Sequence, residues 1–339
     1  MARSILVVRL GALGDLVHAL PAVAALRAAW PDARIDWLVD GRYAALLELV
    51  PAVDRTFVIG AQAGRPVLSV IRELRRARYD LAIDFQGLLK SAALARSAGA
   101  RETAGFIAGQ LREPLAGVFY TRRVPADDSG HVVRKNLSFV EALGVGVREV
   151  TSPLKVTASA LPGQVRRLLK LDSEGRFAVI NPGAGWPNKR WPADRYGAIA
   201  AHLRVRYGMP SAVTWGAGEQ ALAGEVAASS DGAAKAAPST SIADMVELAR
   251  AAAIFVAGDT GPMQLAAAVD TPVVGIFGPT SPLRNGSWKA ADTWVSRFDD
   301  CECHHKRKCR RDTPCINTIT IEQVADAVDR RLGEAGPRG

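Results

Sequence analysis

The sequence contains no long apolar run, because no stretch approaches the 18 or more residues that a membrane-spanning helix needs. Its N-terminus lacks the basic segment, apolar run and small-residue cleavage site of a secretory signal peptide. Aromatic residues make up only 6% of the chain, and no stacking motif of the RNA-binding type is present. We therefore expect a cytoplasmic protein, with no nucleic-acid partner.

Cysteine is absent from the first 300 residues, and all four cysteines follow with the spacing C-x-C-x5-C-x5-C. Four thiolates so close together can hold a structural zinc or iron ion. Because the spacing differs from the paired C-x2-C of common zinc sites, disulfides and free thiols remain open. The candidate metal ligands in this segment, residues 301–315, are Cys301, Cys303, Cys309 and Cys315.

Acidic residues are fewer than basic ones. Its 43 Lys and Arg outnumber 34 Asp and Glu, which gives a formal net charge of +9, and both halves of the chain are basic. A length of 339 residues with 48% hydrophobic and 23% charged residues is typical of a soluble protein of two domains. The positive charge favours an anionic small substrate or an anionic membrane surface as the partner.

Short apolar runs alternate with helical patterns through both halves of the chain. Predicted strands are Ile5–Val8, Arg34–Val39, Arg55–Ile59 and Asp80–Asp84 in the first half, and runs beginning at Phe177, Ala212, Ile254 and Pro272 in the second. This alternation predicts an α/β fold with two doubly wound, Rossmann-like parallel sheets. A Pro- and Ser-containing passage between them suits a connector, so we place the domains at 1–155 and 165–339.

The first strand runs into Gly11-Ala-Leu-Gly-Asp15, which we interpret as a strand-to-helix turn. Ligands of open parallel sheets bind at such turns. Gly14 leaves backbone room there, and a carboxylate at Asp15 is a candidate general base for a bound hydroxyl. The alternative is that Asp15 only caps its helix.

Other polar residues follow later strands. Gln86 and Lys90 come after the fourth predicted strand and Arg112 before an apolar helix, so they are candidates for an anionic acceptor site. In the second half, a loop with Gly183 and Lys189 could hold a diphosphate, and Glu219 could bind ribose hydroxyls. Each residue could instead be an ordinary surface residue.

The segment Gly258-Asp-Thr-Gly-Pro-Met-Gln-Leu265 has the sharpest pattern of the second half. It is a strand end, a tight turn and a helix start with Pro near the first helical position. The unpaired N–H groups of that first turn form an anion site. Together with the two preceding glycine-bearing strand ends, it predicts a nucleotide-binding edge in the second domain.

These motifs resemble the lipopolysaccharide heptosyltransferases of glycosyltransferase family 9, which have the GT-B fold with two domains facing a central cleft. Arg9-Leu-Gly-Ala-Leu-Gly-Asp15 with His18-Ala-Leu-Pro21 is similar to the opening motif of the family, and Asp259-Thr-Gly-Pro-Met-Gln-Leu265 with Phe277-Gly-Pro-Thr280 to its donor motif. Asp84-Phe-Gln-Gly-Leu-Leu-Lys90 and Arg112-Glu-Pro-Leu-Ala116 resemble the heptosyltransferase I branch in particular.

The resemblance implies an inverting transfer of heptose from ADP-heptose to an inner-core sugar, Kdo or heptose, of lipopolysaccharide, without a catalytic metal. It implies that Asp15 is the general base and that Lys189 holds the donor diphosphate. Donor-binding residues would be Gly183, Glu219, Asp259, Thr260, Gly261 and Gln264, and acceptor-binding residues Gly14, Gln86, Lys90 and Arg112. The acceptor would be an anionic glycolipid at the inner face of the cytoplasmic membrane.

Two positions depart from the family pattern. Gln264 stands where the family usually has His, and the segment after the third strand, Gly60-Ala-Gln-Ala-Gly-Arg65, lacks the dense basic cluster of heptosyltransferase I. Another nucleotide sugar, or an acceptor other than lipopolysaccharide, therefore remains an alternative. A nicotinamide oxidoreductase is disfavoured because no strict G-x-G-x-x-G follows the first strand, and a non-catalytic binding module built on the cysteine segment is the third possibility.

Overall fold

The computed structural model describes residues 2–334, and these form two compact units, Met1–Lys155 and Val156–Gly339. The last five residues of the predicted second domain lie outside the described part. None of the helices in the described part is long and apolar enough to cross a membrane.

The first unit is built on one six-stranded sheet. Its strands are β1 (Ser4–Val8), β2 (Arg34–Asp40), β3 (Arg55–Ile59), β4 (Leu81–Asp84), β5 (Glu102–Phe106) and β6 (Arg122–Val124). They lie in the order β3-β2-β1-β4-β5-β6, and all neighbours are parallel. In the register of the sheet, Val8 of β1 is the partner of Leu38 on one side and of Asp84 on the other.

Helices cover both faces of this sheet. They are α1 (Leu13–Ala29), α2 (Ala44–Leu47), α3 (Val67–Ala77), α4 (Leu89–Ser97) and α5 (Val132–Ala142), with 3₁₀ helices at Gly41–Tyr43, Ala61–Ala63, Ala108–Gln110 and Pro114–Phe119. Helices α3 and α4 share one apolar cluster with the sheet, and α5 packs on α1. Because both faces are covered, β1 is apolar from Ile5 to Val8 and fully buried, with no polar alternation.

The second unit repeats the architecture. Its strands are β7 (Ala178–Asn181), β8 (Ser211–Val213), β9 (Ala234–Ala236), β10 (Ile254–Gly258), β11 (Val273–Phe277) and β12 (Thr293–Ser296). Its helices are α6 (Leu161–Leu168), α7 (Ala193–Tyr207), α8 (Gln220–Ala228), α9 (Ile242–Ala251), α10 (Gly261–Ala268), α11 (Pro282–Asn285) and α12 (Ile321–Glu334), with 3₁₀ helices at Pro187–Lys189 and Cys315–Thr318. The strand order is β12-β11-β10-β7-β8-β9, which is the topology of the first sheet with β7 in the place of β1.

Each sheet therefore has one switch point, where chain connections leave in opposite directions. It lies between β1 and β4 in the first unit and between β7 and β10 in the second. Crevices at the carboxyl ends of such strand pairs are where doubly wound sheets bind ligands. The prediction of two doubly wound parallel sheets is confirmed.

Some predicted elements differ in their bounds. Helix α1 begins at Leu13, so Asp15 lies in its first turn and not in the strand-to-helix turn expected at Gly11–Asp15. The apolar helix expected after Arg112 is a 3₁₀ helix, Pro114–Phe119. Strands β5, β6, β9 and β12 were not predicted; β6 and β9, of three residues each, are too short to show a period.

Candidate active site

At the switch point of the first unit, Asp15 is held by the end of β1. Its Oδ2 atom lies 2.6 Å from Nη2 of Arg9 and accepts a hydrogen bond of 3.1 Å from the Ala12 N–H. The side chain is still 43% exposed, and no hydrogen bond within the described part of the chain reaches Oδ1. Asp15 is therefore fixed by one oxygen, Oδ2, and the other is left available for a ligand.

Electrostatics keep this carboxylate ionised. Shielding from water would raise the pKa of Asp15, but the positive charge of Arg9, then His18 and the Ala12 N–H, together hold it below its ordinary value. A general base with a low pKa accepts a proton weakly, so the Arg9 contact limits the basicity of Asp15 while it sets its position. Sequence analysis quoted Arg9 in a motif but gave it no role.

The two strands at this switch point are tied together by polar contacts. Nη1 of Arg9 donates to the Phe85 carbonyl at 2.6 Å, and the Leu10 N–H donates to Oε1 of Gln86 at 2.8 Å. Gln86 thus braces the turn that carries Asp15. Its own N–H donates to Asp84, whose buried carboxyl has a pKa raised by that burial.

The other predicted acceptor residues lie at the same carboxyl edge. Gly14 occupies the second position of α1, and Lys90 is exposed in the first turn of α4. Arg112 is exposed, and its backbone nitrogen lies 3.9 Å from the Cβ position that Gly87 lacks. The edge therefore carries cationic side chains beside a carboxylate.

At the switch point of the second unit, an ion pair joins the loop after β7 to the end of β10. Nζ of Lys189 lies 2.6 Å from Oδ2 of Asp259, and both side chains are more than four-fifths buried. The same ammonium lies 4.5 Å from the centre of the Trp186 ring, a cation–π contact. A sugar diphosphate placed here would meet one cation and one anion in fixed positions.

A second ion pair lies on the neighbouring strand end. Oε1 of Glu219 lies 3.2 Å from Nη2 of Arg190, and Oε2 accepts the Gly216 N–H at 3.1 Å. A Cβ atom on Gly183 would come within 2.1 Å of Oε2 of Glu219, so only glycine allows this approach. Arg190 is a further residue that sequence analysis left without a role.

Helix α10 begins beside the Lys189–Asp259 pair. Thr260 is its N-cap residue and its side chain lies 3.5 Å from the Met263 N–H, while Gly261 and Pro262 open the first turn. The Thr260 hydroxyl also donates to Asn181 Oδ1 at the end of β7, at 3.4 Å. The helix N-terminus and Lys189 together form an anion-binding arrangement.

Gln264 is buried on α10, one turn after Thr260. Its amide nitrogen donates to the Asn285 carbonyl at 2.6 Å, whereas Oε1 has no hydrogen-bond partner in the part of the chain that the structure describes. An unpaired buried amide oxygen costs stability. A ligand hydroxyl or phosphate-bound water is a natural partner for it.

The structure gives no support to the predicted metal site. The four cysteines, Cys301, Cys303, Cys309 and Cys315, pack together as free thiols, and three of them are buried. Burial raises the pKa of Cys315 to about 12, so this thiol stays protonated. Among residues 2–334, no group of three or more His, Cys, Asp or Glu side chains is arranged to hold a metal ion, and the free-thiol alternative is the arrangement that the structure has.

The cysteine segment packs against the loop after β7, which carries Lys189. Nδ2 of Asn188 donates to the Lys306 carbonyl at 2.9 Å, and the Cβ position of Gly278 is 3.6 Å from Sγ of Cys315. The His305 imidazole interacts electrostatically with both Lys189 and Asp259. Burial, and then neighbouring cations, lower the pKa of His305. The spacing of the cysteines did not predict that His305 would lie near Lys189 and Asp259.

Two doubly wound parallel sheets of the same strand order are the arrangement of the GT-B fold class. The profile of glycosyltransferase family 9 (heptosyltransferase) matches residues 67–315, about three-quarters of the chain. The protein belongs to this family.

Individual relatives agree with the family. Lipopolysaccharide heptosyltransferase 1 of Pseudomonas aeruginosa is 32% identical over 97% of this chain and 98% of the relative. The Escherichia coli heptosyltransferase WaaC, solved with ADP-2-deoxy-2-fluoro heptose, has a TM-score of 0.74 at 25% identity and covers 98% of this chain and 100% of its own. A family 9 glycosyltransferase of Veillonella parvula has the same fold, with a TM-score of 0.82, 22% identity and 98% of both chains covered.

Proposed function

We propose that this family 9 enzyme transfers heptose from ADP-heptose to the inner core, Kdo or heptose, of lipopolysaccharide. The observation that carries the proposal is the Lys189–Asp259 pair at the N-terminus of α10. Its support is the 32% identity to a relative named as a lipopolysaccharide heptosyltransferase 1 and the likeness to WaaC, solved with an ADP-heptose analogue.

In the first unit, Asp15 acts as the general base. It removes the proton of the acceptor hydroxyl, whose oxygen attacks the anomeric carbon of the donor. Arg9 keeps the carboxylate in place, and Lys90 and Arg112 bind anionic groups of the acceptor. Gln86 holds the turn and Gly14 lets the acceptor approach the backbone.

In the second unit, the donor diphosphate is the leaving group. As the bond from the anomeric carbon to the diphosphate oxygen breaks, the electron pair stays with ADP, and Lys189 with the N–H groups of Thr260 and Gly261 stabilises the new charge. Glu219 binds the ribose, with Gly183 giving it room, and Asp259 and Gln264 bind heptose hydroxyls. Attack opposite the leaving group inverts the anomeric centre.

We also propose that this chemistry needs no metal ion. In this proposal, Lys189 and the N–H groups at the start of α10 stabilise the charge of the diphosphate. Mg²⁺ has that role in many nucleotide-dependent enzymes. Transfer should therefore persist in EDTA. The acceptor is an anionic glycolipid, so the enzyme works in the cytoplasm at the inner face of the cytoplasmic membrane.

The test is a transfer assay with ADP-heptose and Kdo-bearing lipid A, run with and without EDTA, with the anomeric configuration of the product read by NMR. Asp15→Asn should lower kcat by at least about 100-fold and leave the affinity for ADP within about twofold, measured by calorimetry. No transfer by the wild-type enzyme, or full activity of Asp15→Asn, would refute the proposal.

A different nucleotide sugar or acceptor is the second candidate. It is favoured by Gln264, which stands where the resemblance leads us to expect His, and by the absence of a basic cluster in residues 60–65. Calorimetric titration with ADP, GDP, UDP and NAD decides the nucleotide. Tighter binding of GDP or UDP than of ADP would favour this candidate over ADP-heptose.

A further inference from the structure

The exposed large apolar side chains of the first unit are concentrated at the carboxyl edge of its sheet. We call six of them the apolar rim: Val67, Leu68, Leu89, Ile107, Leu115 and Val118. Val67 and Leu68 begin α3, Leu89 begins α4, and Ile107 directly follows β5. Since all strands are parallel, these helix starts and strand ends lie at one edge.

The last two members of the rim are held beside α4. Oε2 of Glu113 accepts the Leu89 N–H at 2.7 Å, and the 3₁₀ helix Pro114–Phe119 that follows Glu113 packs along α4. Leu115 and Val118 are nevertheless 68% and 69% exposed. Ala116 and Gly117 between them are buried, so the helix turns its apolar leucine and valine outward. A soluble protein rarely exposes such a group without a partner.

Three basic side chains lie at the same edge as the rim. Arg65 comes just before α3, Lys90 lies in the first turn of α4, and the backbone of Arg112 lies beside Gly87 after β4. Residues 61–125 as a whole contain eleven Lys and Arg against five Asp and Glu, but Arg75, Arg76, Arg96 and Arg122 lie at helix ends or a strand start, at the opposite edge of the sheet. The cations that can act together with the rim are therefore Arg65, Lys90 and Arg112.

Aliphatic side chains with interspersed cations fit a lipid surface better than a protein. Protein interfaces are enriched in aromatic residues and depleted of lysine at their centre, whereas the rim has only Val, Leu and Ile. Interfacial membrane binding combines shallow insertion of apolar side chains with attraction of Lys and Arg to anionic lipids. Asp15 lies at the same edge of the sheet, near the headgroups in this arrangement.

We infer that the apolar rim, with Arg65, Lys90 and Arg112 beside it, docks the first unit on an anionic lipid bilayer, which delivers the sugar of a membrane-embedded acceptor to Asp15. The inference rests on the proposed function for the identity of the acceptor. Docking itself needs neither donor nor acceptor, so it is measured separately.

The experiment is co-sedimentation of the full chain with vesicles of phosphatidylcholine, alone or mixed with phosphatidylglycerol, without donor and without acceptor. The wild-type protein binds the anionic vesicles, and high salt weakens binding because exposed charges are screened. The double variant Leu115→Ser/Val118→Ser binds at least about tenfold more weakly, since it loses two apolar side chains that insert. Lys90→Gln/Arg112→Gln, at the edge that carries the rim, weakens binding to the anionic vesicles alone.

The matched control is Val205→Ser. Val205 is 88% exposed on α7 of the second unit, outside the rim, so the change should leave vesicle binding intact. Unchanged melting temperature and ADP affinity in every variant show that the fold is kept. The inference is wrong if the rim variant binds vesicles like the wild type, if Val205→Ser weakens binding equally, or if the rim variant alters only self-association in sedimentation velocity.

This test separates the two proposals. Loss of vesicle binding in the rim variant, together with no transfer of heptose by the wild type, would keep the docking surface and refute the proposed function. Transfer of heptose with no vesicle binding by the wild type would keep the proposed function and refute the docking surface.

Discussion

At the scale of single residues, the first unit faces a conflict between position and basicity. Arg9 fixes Asp15 at 2.6 Å and lowers its pKa, although shielding from water acts in the opposite direction. A carboxylate whose pKa lies below its usual value of about 4 is ionised throughout the neutral pH range. Arg9 therefore decides the acid limb of the pH–rate profile.

Arg9→Gln should move that limb to higher pH. With the positive charge gone, shielding from water raises the pKa of Asp15, so activity falls as the pH drops toward 5 while the wild type stays flat. The measurement is kcat/KM between about pH 5 and pH 8, the range in which proteins tend to be most stable. Arg9→Lys is the control because it keeps the charge; identical profiles for the Gln and Lys variants would contradict the role of Arg9.

Lys189 is the proposed cation of the donor site, and Lys189→Met should weaken ADP binding about 10- to 100-fold, since a hydrogen bond to a charged group is worth about 1.5–3 kcal/mol. The change also leaves Asp259 without its partner at 2.6 Å, next to the diphosphate. Calorimetry with ADP checks the result. ADP affinity equal to that of the wild type would remove Lys189 from the donor site.

Sequence patterns could single out Asp15, Lys189 and Asp259 as candidates because each lies in a recognisable motif shortly after a strand, β1, β7 or β10. They could not predict the partners. The Arg9–Asp15 and Arg190–Glu219 pairs depend on side-chain direction at a turn, and the position of His305 depends on packing of a segment more than 40 residues after Asp259. Local spacing carries no such information.

At the scale of elements, the loop after β7 depends on one close approach. Gly183→Ala should disturb Glu219, because the new Cβ would lie 2.1 Å from its Oε2 atom. We expect ADP affinity to fall about tenfold, equal to about 1.4 kcal/mol, with little change in melting temperature. Gly185→Ala is the matched control, since nothing lies within 4 Å of its Cβ position. Equal effects of the two variants would contradict this reading of the loop.

The long elements and the parallel order were predictable because buried strands of four or more apolar residues alternate with helices. The short edge strands and the cysteine segment were not. Four cysteines in fifteen residues favoured a metal, yet the segment is fixed by tertiary contacts, such as the one between Asn188 and the Lys306 carbonyl. Cysteine spacing alone does not distinguish a metal site from a packed thiol cluster.

The thiol cluster leads to a direct prediction. The denatured protein should react with a thiol reagent at four cysteines per chain, because all four are free. Fewer than four reactive thiols would contradict the arrangement of Cys301, Cys303, Cys309 and Cys315 as free cysteines.

At the scale of the whole molecule, the chain uses one winding twice. Both sheets have the same strand order about their first strand, and each has its own apolar core. The charged residues differ: the first unit presents a carboxylate with exposed cations, and the second presents the buried Lys189–Asp259 pair beside a helix N-terminus, with the more exposed Arg190–Glu219 pair on the next strand end. One sheet is thus suited to activating a hydroxyl and the other to holding a diphosphate.

This division predicts separable binding defects. Lys90→Gln should raise the KM for the acceptor about 3- to 10-fold, the loss of one contact to an anionic group, and leave ADP affinity unchanged. Lys189→Met should weaken ADP binding and leave the acceptor KM within about twofold. Steady-state kinetics with the acceptor and calorimetry with ADP measure the two effects.

The double variant tests whether the two sites bind independently. If they do, the losses in kcat/KM of Lys90→Gln and Lys189→Met should add within about 0.5 kcal/mol, as they do for residues that share no partner. A larger deviation would mean that donor and acceptor sites are coupled, because the diphosphate bound by Lys189 then changes the position of the acceptor held by Lys90. ADP affinity in Lys90→Gln measured with and without acceptor would show in which direction that coupling acts.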